Sequence, residues 1–412
     1  MKKIMMMAMM MVASATAFAG DSDGLKAILK AKTYDEASQL LKQNLASLAD
    51  NAEKAKAYNH LVDLAMKQVD KESVIILANQ VPGQTPKDYD TLSLCDGVVK
   101  SIDAAIECDK YDQLPNAKGK IAPKFSEKNA KRVWVNRFPH LVTYGDALRL
   151  RGNKEEALRL WNCFITSSTE QLFADQNKAA DDEYRSQIAY LAGRTAADIN
   201  KIDEANKYYE IALKDPKWNT ETANFLIIAN KSNIKTPEDT VKYVNYLTSL
   251  SKEYPNTELF FSGIMEIVLQ QNNVAEAIKI ADERIAKYPE LEMAYAYKGQ
   301  IYMNEKKYDD AISMYSKIKE DVKSPLYANC LYNSAVCKWN KASDFLEANS
   351  DVKTGRMTPE NESKFMAMLK DAQIDFEKLK EIDPTQKNYK WGYLLRNIYL
   401  KTNQQEKADA IQ

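Results

Sequence analysis

The chain has little of what catalytic and nucleic-acid-binding sequences depend on. Of its 412 residues only His60 and His140 are histidine, and neither has a cysteine or second histidine within a turn or two. The close ligand spacing of a zinc site is therefore missing. No nucleophile elbow, phosphate-cradling glycine loop or metalloprotease helix motif occurs. The formal net charge is -1, and charges of both signs are interspersed, as in Lys154-Glu155-Glu156 and Lys306-Lys307-Tyr308-Asp309-Asp310. No basic stripe suited to a phosphate backbone results, which disfavours a nucleic-acid partner. Strand signals are nearly absent, and twelve glycines and twelve prolines leave few linkers. The expectation is an all-α chain that is not an enzyme and carries no cofactor or metal.

The N-terminus supplies a positive signal. Met1-Lys2-Lys3 is a short basic start, Ile4 to Phe18 an apolar run, and Ala17-Phe18-Ala19 has the small-x-small form of a cleavage site. Residues 1–19 are predicted to be a secretory signal peptide, leaving a mature chain that begins near Gly20. No later stretch approaches the ~20 apolar residues of a membrane span. The first cysteine is Cys95, so the cysteine that a bacterial lipid anchor needs just after cleavage is missing. The expected compartment is the periplasm, with secretion or peripheral attachment to the envelope as alternatives. Five cysteines in an exported chain invite disulfides, yet five is odd. Cys95 and Cys108 are the candidate pair if Asp96-Gly97 breaks a helix; if one helix runs through both, they lie too far apart. Cys163, Cys330 and Cys337 read as small buried hydrophobes.

What the chain has in quantity is a repeat. A glycine, an alanine twelve residues on and an aromatic four further recur as Gly145, Ala157, Trp161, as Gly193, Ala205, Tyr209, and as Gly299, Ala311, Tyr315. Around the third copy, apolar residues three or four apart flank a polar break at Asn304-Glu305-Lys306-Lys307, which predicts two amphipathic helices joined by a tight turn. Glycine in a helix interior costs about 1 kcal/mol relative to alanine, so its recurrence implies close packing, with the alanine as the matching small surface.

These residues resemble the tetratricopeptide repeat over roughly residues 131–412. The resemblance implies an α-α superhelix, a right-handed solenoid of helical hairpins. Ala277 with Pro289, Ala372 with Phe376 and Pro384, and Leu395, Tyr399 and Ala408 continue the frame. The steps from Ala157 to Ala205 and from Ala311 to Ala372 are too long, which places insertions there. The second insertion reads as one elongated hairpin at about 327–382, with helices expected over 327–349 and 359–382. The expected organisation is the signal, an N-terminal region of degenerate hairpins over 20–125, and the array over 126–412, with a boundary near Leu114 to Phe125.

In the resembling family the first helix of each hairpin lines a concave groove. Carried over, the groove positions are Tyr190, Arg194, Gln270, Gln300, Asn304, Tyr332, Asn340, Tyr393, Asn397 and Lys401. Tyrosines and side-chain amides suit an extended peptide, whose backbone the amides can hydrogen-bond. The family's clamp for a chaperone C-terminus is missing, since its positions hold Val142, Asp146, Leu191, Tyr190 and Arg194. The leading expectation is an exported scaffold binding protein or peptide partners, in a cell-envelope assembly. A binder of glycans or small solutes is the second reading, and an accessory subunit of an envelope enzyme the third.

Overall fold

A computed structural model describes residues 21–83, 85–176 and 178–411, with the backbone alone for 178–183. The signal segment expected over residues 1–19 lies outside them. Among the described residues every regular element is helical. The N-terminal helices are α1 (Asp23–Lys30), α2 (Tyr34–Asn44), α3 (Asn51–Asn79) and α4 (Thr91–Asp112). There follow α5 (Ser126–Arg137), a π-helical turn (Phe138–Thr143), α6 (Tyr144–Leu150), α7 (Lys154–Ser167), α8 (Lys178–Asp198), α9 (Ile202–Ala212) and α10 (Pro216–Ser232). The remainder is α11 (Pro237–Glu253), α12 (Glu258–Gln270), α13 (Val274–Lys287), α14 (Met293–Asn304), α15 (Tyr308–Tyr315), α16 (Pro325–Asn349), α17 (Pro359–Ile382), α18 (Gly392–Lys401) and α19 (Gln405–Asp409). Chain neighbours pack as helical hairpins, among them α3 with α4, α6 with α7, α8 with α9, α14 with α15 and α16 with α17.

Each repeated hairpin is set by two local devices. The first is the contact at the glycine. A Cβ added to Gly145, Gly193 or Gly299 would lie 2.5 Å from Trp161, Tyr209 or Tyr315 respectively, distances real Cβ atoms essentially never show. The aromatic ring of the second helix therefore rests on bare backbone of the first. The sequence pattern assigns this close approach to the alanine. The structure gives it to the ring four residues later, because a flat ring fills the glycine's empty volume where a methyl group would leave a gap. The alanines are fully buried all the same.

The second device is the turn. Gly152, Asn200, Asn272, Lys306 and Asn403 all have positive φ, between 55° and 86°, and each stands five residues before a buried alanine of the repeat, Ala157, Ala205, Ala277, Ala311 and Ala408. In each case the next residue's N–H reaches back to a carbonyl of the preceding turn: Asn153 to Leu148, Lys201 to Ala196, Asn273 to Val268, Lys307 to Tyr302 and Gln404 to Tyr399, at 2.8–3.2 Å. This is a Schellman end, which satisfies carbonyls that the finished helix leaves open. Glycine and asparagine enter the left-handed region readily, whereas lysine does so against its Cβ.

The chain divides into two compact units after Ala229. The stretch near residue 125, where the sequence suggests a boundary, is tied down instead. The Asp112 carboxylate accepts the N–H groups of Lys124, Phe125 and Ser126 at 2.8–3.0 Å and the Ser126 hydroxyl at 2.8 Å. Asp50 caps α3 at Glu53 and also takes the Ala117 N–H. At the start of α2 the Thr33 hydroxyl accepts from Glu36 N, while the Glu36 carboxylate accepts from Lys32 N.

All five cysteines are buried and free. Asp96-Gly97 does not break α4, because Gly97 packs against Val69 of α3. Cys95 and Cys108 therefore sit thirteen residues apart on one helix, about 20 Å, and cannot pair. Their thiols donate to the carbonyls of His140 and Ala55, and burial pushes both up to about 12.

The elongated hairpin is present as α16 and α17, of 25 and 24 residues. Length of that kind needs its own core, and Ala342, Phe365, Leu369, Ala372 and Phe376 supply it, with Phe345, Leu346, Met357, Met366 and Met368 packed around them. Lys338 of α16 fixes the register by pairing with Asp371 and buried Asp375 of α17 at 3.0 and 2.9 Å, and the Ser334 hydroxyl also donates to Asp375.

Two outcomes test the devices. Gly299→Ala will lower stability by about 1–3 kcal/mol through overpacking on Tyr315, measured by denaturant unfolding; an unchanged midpoint would refute the ring-on-backbone contact. Lys306→Gly will raise stability by about 0.5–1 kcal/mol in the same assay, as strain at the left-handed position is relieved.

Candidate functional site

The ten groove positions fall in two sets, one per unit. Tyr190 and Arg194 belong to the first unit, and the other eight to the second. In the second unit the first helices of successive hairpins touch, α12 on α14 and α14 on α16, so residues between those contacts form a continuous lining.

The middle of that lining is a chain of side-chain amides. Asn333 Nδ2 of α16 donates to Gln300 Oε1 at 3.2 Å, and Gln300 Nε2 donates to Asn304 Oδ1 at 3.0 Å, both on α14. An amide that accepts with its oxygen and donates with its nitrogen has its orientation fixed by those bonds. At one end the Asn304 Nδ2 group stands at an exposed residue, and at the other the Asn333 side chain also meets the Tyr315 hydroxyl. A carbonyl of an extended peptide is the complement of the exposed donor. Asn333 was not among the expected positions, because it stands 34 residues after Gly299, at a position the repeat uses for packing and not at one counted as lining.

On either side the lining changes character. Gln270 is exposed at the end of α12, and Asn340 is half-buried two turns beyond Asn333 on α16. Tyr332 is half-buried with its ring 5.6 Å from Tyr389. Tyr389 is held there by Asp383, whose carboxylate accepts the N–H groups of Lys387, Asn388 and Tyr389 at 2.8–3.1 Å. Asp383 also anchors Trp391, whose indole N–H donates to its carbonyl at 2.8 Å. On α18, Tyr393 is 77% exposed, Asn397 donates to the Tyr393 carbonyl, and Lys401 is exposed.

In the first unit Tyr190 is only 3% exposed, so it is a packing residue more than a groove residue. Its ring stacks on Trp218 at 5.1 Å and meets Phe225 edge-on at 5.8 Å, and its hydroxyl donates to Glu221 at 2.6 Å. Burial first, and the Glu221 carboxylate beside it, push the hydroxyl up to about 12. Sequence counting cannot see this, because the covering residues come from α10. Arg194 is exposed, with its guanidinium 4.3 Å over the Phe225 ring and one N–H to the Tyr190 hydroxyl at 3.3 Å.

Among the described residues no three metal-ligating side chains cluster, and no helix is long and apolar enough to cross a membrane. No family model matches the chain, and no curated protein matches it. Among solved structures the chain is similar to a human IFIT1 dimer with m7Gppp-AAAA, at 15% identity and a TM-score of 0.26, over 91% of this chain and 82% of that one. It is also similar to the APC/C hetero-tetramer Cut9-Hcn1, at 14% identity and a TM-score of 0.24, over 91% and 76%. Scores this low leave the fold and the site to be read from the chain itself.

The Asp383 loop makes a pH test possible. Burial raises its carboxyl, but the N–H groups of Tyr389, Asn388 and Lys387 and the Thr385 hydroxyl outweigh it and hold the group below the usual carboxylate range. A depressed native value stabilises the fold above the unfolded pKa of about 3.9 and loses that contribution as pH falls through the native value. Asp383→Asn will therefore lower the melting temperature at neutral pH. Its deficit will shrink on acidification below the carboxylate range, as thermal melts across pH will show.

Proposed function

We propose that the chain is an exported, non-enzymatic scaffold that holds protein or peptide partners on the inner faces of its first helices, within a cell-envelope assembly. The observation that carries this is the oriented amide row Asn333, Gln300, Asn304, since a fixed sequence of donors and acceptors suits an extended backbone that brings its own. Uncharged amides ask for no particular charge on the partner. The neighbouring tyrosines add rigid amphipathic area at small entropic cost. Export rests on the basic start, apolar run and Ala17-Phe18-Ala19 motif. The elongated hairpin offers the same kind of partner a second contact, through its half-buried methionines.

The test is crosslinking in cells with a photoreactive residue at position 304 or 397, followed by mass spectrometry. A small, reproducible protein set is expected, mapped to α12, α14, α16 or α18, and lost in an Asn304→Ala, Asn333→Ala double variant. Recovery of no protein, together with thermal stabilisation of the purified chain by a sugar or a metal ion, would replace this reading with that of a solute binder.

A further inference from the structure

We propose that the first unit carries a docking surface of its own, for a partner segment that presents an apolar side chain and a carboxylate about 15 Å apart. The surface runs along α8. Tyr184, Gln187, Leu191 and Arg194 are spaced three, four and three residues apart and so share one helix face. At one end Tyr184, 40% exposed, meets Phe138 edge-on at 4.7 Å, and Phe138 is itself 37% exposed at the start of the π turn. Val135, one turn earlier on α5, is 68% exposed. Three exposed apolar side chains from three elements thus lie close to one another, which is how a docking step differs from a scattered surface residue.

At the other end stands Arg194. Its guanidinium carbon sits 4.3 Å over the Phe225 ring, one N–H is bonded to the Tyr190 hydroxyl, and it makes no ion pair among the described residues. The nearby carboxylate of Glu221 is engaged with Tyr190. An arginine already seated over a ring and bonded to a hydroxyl loses little freedom on gripping a carboxylate, and the ring shields it on one side from water. Charge complementarity therefore asks for an acid there. Ten helical residues separate Tyr184 from Arg194, about 15 Å, which an extended chain spans in about four or five residues.

This inference rests on the scaffold reading but not on the amide row. Its test uses the purified full chain and three acetylated peptides with tryptophan at one end. The first has glutamate four residues on and an amidated terminus, the second has glutamine in that place, and the third ends at that position in a free carboxylate. The glutamate peptide is expected to bind about tenfold more tightly than the glutamine peptide, by fluorescence or calorimetry. The free-carboxylate peptide then shows whether a chain terminus serves as well as an acidic side chain. In Arg194→Leu the difference between glutamate and glutamine disappears, in Arg194→Lys part of it returns, and Phe138→Ala weakens both peptides alike. Far-UV circular dichroism confirms that each variant is folded. Equal affinity for the two peptides, indifference to Arg194→Leu, or no saturable binding of any peptide overturns the proposal. If crosslinking at position 304 still captures protein in that event, the scaffold reading stands and only this surface is lost.

Discussion

The structure depends on a ring lying against bare backbone. Trp161, Tyr209 and Tyr315 each occupy the space that a side chain at Gly145, Gly193 or Gly299 would need. Glycine in mid-helix gives up about 1 kcal/mol, and burying an aromatic ring returns more than that through its area and its dispersion contacts. The contact does more than stabilise. It sets how closely the two helices of a hairpin approach, and with the left-handed residue in the turn it sets their rotation. The opposite side of the first helix is then released from packing within the hairpin, and the fold leaves the identity of its residues open.

That division explains what could be read in the sequence. The packing residues recur at fixed spacing, so their periodicity survives in the chain and the all-α hairpin array is legible, as are the two helices of the elongated hairpin to within two residues. The left-handed turn was equally periodic, but its residues are glycine, asparagine and lysine, and the lysine hides the pattern until the φ angles are known. Lining residues obey no repeat. Tyr190 sits at a groove position by counting, yet Trp218 and Phe225 of α10 close over it. Asn333 belongs to the amide row but falls outside the count, because it stands 34 residues after Gly299, where other hairpins keep a packing glycine. The π turn that brings Phe138 to Tyr184 has no compositional mark beyond Pro139, which cannot donate to the helix ladder.

The elongated hairpin shows what an insertion must bring with it. Extending two helices past their neighbours orders many residues, each at about 1–2 kcal/mol of backbone entropy, with no adjacent hairpin to bury them. Phe365 and Leu369 answer this by packing between α16 and α17, in a core that continues to Trp391, Leu395 and Tyr399. The ion pairs of Lys338 have a different role. A half-buried charge recovers little net stability once desolvation is counted, but it penalises any slip of one helix along the other, since a slip strands a charge. Burial works against the Lys338 ammonium, and Asp375 and Asp371 more than compensate, so it is held above its ordinary range. Register is what this pairing secures.

The two units then present different chemistry from the same kind of helix. In the second, the middle of the lining is made of amides, which on the proposed reading recognise the backbone that all peptides share and discriminate weakly between sequences. In the first, an apolar step and a single arginine ask for two particular side chains at a particular separation, which discriminates strongly but binds little without both. A surface of the first kind supplies affinity and one of the second kind supplies choice. Because hairpins of one design carry both, selectivity in this chain is a property of which few positions between the packing residues hold an amide, a ring or a charge. Such positions are free to change without disturbing the contact on which the fold rests.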